Sequence, residues 1–310
     1  MHAPYAPRGR RNSPTAPRIG RPQRFRVLAA TLGTGLLIGT AACSTASDTE
    51  TTTTQSLPTS ATAPATMFAL PGSLAADFTA LRPSLNGHAG MAIMAVGGQR
   101  TALMGDWTTG PAWSTMKVPL TLAVLRTNGN TSTYQMSAAI TESDNSAADA
   151  LWQSLGAPDA AAQAVQGVLR DGGDSKTTVP AARSRAEYSA FGQADWALGD
   201  QVRFASHLPC LPDADTVTTL MGKVVWGQQW GLGHLDNTRF KGGWGPDSSG
   251  SYLVRQFGLL TTPNGDVAVS LAAQATSGTF DDGTQILNQM AGLLTKHLDD
   301  LPAGHCAPAQ

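Results

Sequence analysis

Three short clusters in this chain carry residue types suited to chemistry on a carbonyl group. The first is Ser114-Thr115-Met116-Lys117, the only Ser-x-x-Lys in the 310 residues. Residues i and i+3 share a helix face, so the Lys117 amine can lie beside the Ser114 hydroxyl. A serine hydroxyl is a weak nucleophile at neutral pH until a neighbouring base takes its proton. A lysine serves when burial lowers its pKa, and the helix it opens, Ser114–Arg126, is apolar nearly all round. The second cluster is Ser143-Asp144-Asn145. A hydroxyl there can relay a proton and an amide can hold a substrate amide, although Ser, Asp and Asn also favour plain helix caps. The third is Lys241-Gly242-Gly243-Trp244-Gly245. Its glycines allow close approach of backbone to ligand, and Lys241 offers positive charge to a carboxylate.

The elements around these clusters follow from periodicity. Ser73–Leu81 reads as a helix. Gly90–Val96 and Arg100–Gly105 form a hairpin about Gly97-Gly98. Helices are expected over 144–155, 158–169, 196–207 and 213–229. Strands return at Thr238–Lys241, Tyr252–Thr261 and Asp266–Ala273, the last two flanking the turn Pro263-Asn264-Gly265. Phe280–Leu298 closes with a helix. Such an order predicts an α+β fold: an antiparallel sheet built from both chain ends, flanked by helices, with a helical lobe over about 127–212 and a cleft between.

Ser-x-x-Lys, then Ser-Asp-Asn, then a Lys-x-Gly strand resembles the signature set of the serine β-lactamases and penicillin-binding proteins, most closely class A β-lactamases. The resemblance runs from about residue 73 to 299. It implies Ser114 as the acyl-forming nucleophile, Lys117 as its proton partner, Ser143 as proton relay and Asn145 as substrate ligand. It implies further that Lys241 contacts a substrate carboxylate. The backbone N–H groups of Ser114 and Trp244, set by Gly243, would form the oxyanion hole. Three departures stand out. Ser114 and Ser143 lie about half the family's usual separation apart, so the lobe is trimmed. Gly242 replaces a hydroxyl residue. Glu187 occupies the region of the family's deacylation base, but no Asn follows it in place. Arg255, on the next strand, is a second candidate for a carboxylate. The expected activity is slow serine hydrolysis of a β-lactam, a D-Ala-D-Ala-type peptide or an ester. The competing reading is a non-catalytic lipoprotein that keeps the fold and binds a cell-wall or protein partner.

Composition narrows the field. The three cysteines exclude a disulfide scaffold or a Cys-rich metal module. Seven arginines fall in positions 1–26, and the chain beyond residue 42 is acidic, which argues against nucleic acid as a partner. The basic start, the uncharged run Val27–Ala42 and Thr40-Ala41-Ala42-Cys43 resemble a bacterial lipoprotein signal. Residues 1–42 are then signal, and Cys43 carries lipid. Residues 43–66, with 13 Ser or Thr between Ser44 and Thr66, form a tether, and 67–310 the globular domain. Anchoring to the outer face of the cytoplasmic membrane follows, with peptidoglycan fragments or β-lactams within reach and a monomer expected. Export permits a disulfide, and with Cys43 acylated the remaining pair is Cys210 and Cys306. His88, His207, His234, His297 and His305 are scattered, with no His-Glu-x-x-His, so neither a metal nor another cofactor is expected.

Overall fold

The computed structural model describes residues 72–307; the expected signal, the lipidated Cys43 and the tether lie outside them. The chain opens with α1 (Leu74–Leu81), then strands β1 (Gly87–Ala95) and β2 (Thr101–Gly105). A 3-10 turn, Trp113–Met116, runs directly into α2 (Lys117–Thr127). Pro119 is tolerated there because the first helical N–H groups have no partner to lose. The expected helical lobe holds α3 (Tyr134–Ser137), α4 (Asn145–Ser154), α5 (Pro158–Asp171) and α6 (Leu198–His207). Next comes α7 (Ala214–Met221), which stops at Gly222; the sequence predicts one helix to residue 229, but a separate turn, Trp226–Gln228, fills that stretch. Strands β3 (Thr238–Pro246), β4 (Tyr252–Thr262) and β5 (Gly265–Ala275) precede α8 (Phe280–Thr295).

The five strands form one antiparallel sheet in the order β2-β1-β5-β4-β3. First and last strands of the chain thus meet at β1 and β5, as the sequence predicts. The sheet is covered on both faces, and alternation divides its side chains between two cores. On β1, Ala92 and Met94 enter the core with α2, α4, α5 and α6, while Met91 and Ile93 enter the core with α1 and α8. On β4, Phe257 and Leu259 face the first core, and Val254 and Leu260 the second. Burial on both faces explains why these strands read as continuous apolar runs rather than alternating ones.

β3 is an edge strand and extends through Gly242, Gly243, Trp244 and Gly245, whereas the sequence places its end at Lys241. Pairing sets Lys241 opposite Phe257, Gly243 opposite Arg255 and Gly245 opposite Leu253. Lys241, Gly243 and Gly245 therefore share the face of the first core, and Gly242 and Trp244 the other. Cys210 and Cys306 are joined, with Cα atoms 5.3 Å apart. The bond ties the end of the α6 segment to the C-terminal tail, which bridges to Asp266 through Gly304.

Candidate active site

Ser114 sits in the 3-10 turn at the mouth of a cavity of about 270 Å³, which Asn145, Asp149, Glu187, Trp244 and Tyr252 also line. Trp113, one residue before it, has φ 49°, a left-handed conformation that costs a bulky residue about 1–3 kcal/mol. Tertiary contacts hold it there. The Trp113 ring lies where a Cβ on Gly245 would be, 2.6 Å away, and Tyr188 packs edge-on against it at 5.0 Å. Its indole N–H is buried without a partner. A Cβ on Gly243 would stand 2.9 Å from the backbone nitrogens of both Ser114 and Thr115. A side chain at 243 is thus incompatible with the present approach of β3 to the serine turn.

Lys117 begins α2 and is 1% exposed. Burial pushes its amine down to about 7, against the opposing pull of Asp144 and Asp149. Nζ donates to the Ser143 carbonyl (2.6 Å), Asn145 Oδ1 (2.7 Å) and Ser143 Oγ (3.3 Å). The second cluster is presented by a π-helical turn, Ala138–Glu142, an irregularity common at functional sites. It ends in Ser143 at φ 60°, which turns the Ser143 carbonyl and hydroxyl toward Lys117. Asp144 caps α4, accepting from Ala147 N at 2.6 Å. The capping role and the site role of this tripeptide fall on different residues.

Lys241 is 0% exposed and approaches Ser143 from the other side, with Nζ 2.9 Å from Ser143 Oγ and 3.0 Å from the Gly242 carbonyl. Burial, and secondarily the nearby Lys117, push its amine well below the ordinary lysine value. Ser143 Oγ is thus held between two amines whose charged forms burial disfavours. Among the described residues Ser114 Oγ makes no hydrogen bond, with Lys117 or otherwise; catalytic hydrogen bonds often tighten only in the substrate complex.

Burial and partners in the free protein place the other candidate residues. Lys241, expected to touch a substrate carboxylate, is wholly buried and bonded to Ser143 Oγ in the free protein. Arg255, the other carboxylate candidate, is also wholly buried. It donates to the carbonyls of Gly110, Pro111 and Trp196 and to Gln201 Oε1, at 2.9–3.0 Å. Burial lowers it to about 9. It braces the segment leading to Trp113, and Gln201 continues the brace to Thr115 Oγ1 at 3.1 Å. Gly242, which stands in place of a hydroxyl residue, faces Trp230, whose ring would be 3.0 Å from a Cβ there. Glu187 does line the cavity, but it is exposed and 3.2 Å from Arg185. A bond from its own backbone N–H, and then Arg185, hold its carboxyl below the usual range, which weakens it as a base.

Asp149, Arg183, Tyr188 and Tyr252 also line the cavity, though none stands among the residues the sequence singles out. Asp149 had a signal, since it follows Asn145 by one helical turn on α4. The loop residues had none. The Gln193 side chain folds that loop by bonding Ser184, Arg185, Tyr188 and Ser189. Among the described residues no group of His, Cys, Asp or Glu is arranged to hold a metal ion, and no helix is long and apolar enough to cross a membrane.

No family model matches the sequence. No curated protein matches it either. Solved structures do. The extended-spectrum β-lactamase TLA-3 is 16% identical, with TM-score 0.59 over 73% of this chain and 98% of that one. An ancestral (GNCA) class A β-lactamase is 17% identical, with TM-score 0.55 over 72% and 99%. A class A representative from Bacteroides cellulosilyticus DSM 14838 is 15% identical, with TM-score 0.58 over 74% and 97%. At such identities the likeness is one of architecture, and the chain has the serine β-lactamase fold, an α+β arrangement of a five-stranded antiparallel sheet with flanking helices.

Proposed function

We propose that this chain is a serine hydrolase that forms an acyl-enzyme on Ser114 and releases it slowly. The observation that carries the reading is the buried Lys117 amine. With a pKa of about 7 and Ser143 and Asn145 as hydrogen-bond partners, it is a competent proton acceptor one helical turn from a cleft-lining serine. In this reading Ser114 Oγ attacks a substrate carbonyl carbon and its proton passes to Lys117. The N–H groups of Ser114 and Trp244 take the oxyanion, for which the close approach of Gly243 leaves room. Ser143 passes the proton on to the leaving group, with Lys241 fixing its hydroxyl. Asn145 binds a substrate amide. Weak deacylation follows from the pairing of Glu187 with Arg185.

The test is intact mass after incubation of the protein with an acyl donor, against Ser114→Ala. An adduct on the parent alone supports the reading; no adduct with several donors on folded protein refutes it. One observation favours the alternative, a binding lipoprotein without catalysis: Ser114 and Lys117 share no hydrogen bond in the free protein. In either case Cys43 is proposed as the lipid anchor at the outer face of the cytoplasmic membrane, residues 43–66 as tether and 67–310 as the working domain.

A further inference from the structure

The charges around Ser114 are arranged in a way that bears on substrate class, given the Ser114 nucleophile proposed above. Among the described residues, the cations near the cleft all have partners within the protein. Lys117 and Lys241 are buried and bonded to Ser143. Arg255 is buried among carbonyl oxygens on the far side of the serine turn. Arg183 lines the cavity but lies 3.4 Å from Asp149 and donates to the Ala186 carbonyl. Arg185 is held by Glu187 and by the Pro246 carbonyl at 2.5 Å. Two carboxylates, Asp149 and Glu187, also line the cavity, each paired with one of these arginines. Five aromatic residues, Trp113, Tyr188, Phe191, Trp244 and Tyr252, share the wall with Asn145, Ser189 and Pro246. Trp244 belongs to a cluster of edge-to-face and tilted rings with Trp230 and Phe280 at ring separations of 5.4–6.0 Å.

An anionic group brought against this wall meets two carboxylates beside Arg183, and among the described residues each cation there already has a protein partner. It would have to break an internal ion pair or lose its water without replacement. An uncharged aromatic or aliphatic group suffers neither cost and gains apolar contact. We infer that the Ser114 cleft selects uncharged acyl donors, esters or amides with no carboxylate beside the reacting carbonyl. An ester donor leaves its acyl group on Ser114 and departs as the alcohol. Ser114 Oγ bonds to the carbonyl carbon and the carbon–oxygen bond to the alcohol breaks. The serine proton leaves with that alcohol by way of Lys117 and Ser143.

Matched probes test this on the full chain: a penicillin and the same penicillin with its carboxylate methylated. An aryl ester of a neutral acid and one bearing a carboxylate on the acyl chain form the second pair. The second-order rate of adduct formation on Ser114 is read by intact mass, and each rate is divided by the probe's own rate of hydrolysis by hydroxide. We expect the uncharged member of each pair to react at least about tenfold faster, the effect of one unmatched charge. Equal rates, or a faster charged member, overturn the inference and leave Ser114 as a nucleophile. No adduct from any of the four probes on folded protein removes the nucleophile itself, and the inference with it.

Discussion

Replacing Gly243 by alanine tests whether β3 and the serine turn work as one unit. The added Cβ would stand 2.9 Å from Ser114 N and from Thr115 N and 3.0 Å from the Ala112 carbonyl. Ordinary contact begins near 3.4 Å, so backbone must retreat by about 0.5 Å. All three neighbours are main chain, and Arg255 and Gln201 brace that turn from behind, so no side-chain rotation relieves the overlap. A misplacement of 1 Å costs about a hundredfold in rate. Half that distance at the oxyanion donors should cost roughly tenfold or more, with about 1–3 kcal/mol of stability lost to overpacking. Gly242→Ala is the control. Its Cβ meets the Trp230 ring, a side chain on the opposite sheet face, and should leave the acylation rate within about threefold of the parent, a change of under 1 kcal/mol. The assay is the rate of adduct formation on Ser114, with thermal melting alongside to show that both variants fold. Parental acylation by Gly243→Ala, or equal losses in the two variants, would refute the placement of the oxyanion hole at the β3–serine turn contact.

Other outcomes follow from the same geometry. If Lys117 takes the serine proton, acylation rises with pH through about 7 and then levels off, since only the neutral amine accepts. Asp149→Asn removes a charge that favours the protonated amine, so the inflection should move to lower pH; an upward shift in the rate profile over pH 5–9 would contradict the assignment. Arg255→Met takes a donor from four acceptors, of which the Gly110 carbonyl keeps the Trp196 N–H, and should lower stability by about 3 kcal/mol in urea titration, while the preference between charged and uncharged probes stays unchanged. A changed preference would return Arg255 to the substrate site. Reducing Cys210–Cys306, which closes 96 residues of sequence, should destabilise by about 2–5 kcal/mol and lower the melting temperature in dithiothreitol.

Much of the fold was legible because it rests on local rules. The Pro263-Asn264-Gly265 turn between two apolar runs defines the β4–β5 hairpin, and the long apolar segments match strands covered on both sides. Ser-x-x-Lys spacing on an apolar helix announced a buried lysine, and Lys117 is one. Local pattern also separated the helix cap from the site only once the backbone was seen. Ser, Asp and Asn look alike as caps in sequence, and the π-helical turn before Ser143 decides which of them turns toward Lys117.

The sequence by itself therefore determined which residue types stand in which order, the class of fold, and the pairing partners available to its cysteines. Tertiary structure decided where the charges go. Alternation says that Lys241 and Arg255 point to the same face of the sheet, but not what covers that face. Ser143 closes over one and the Gly110–Pro111 segment with Trp196 over the other. Glu187 was drawn into an ion pair by an arginine two residues away, in a loop shaped by Gln193. Burial and pairing depend on residues distant in the chain, and they determine whether a lysine is a base, a binding cation or a brace.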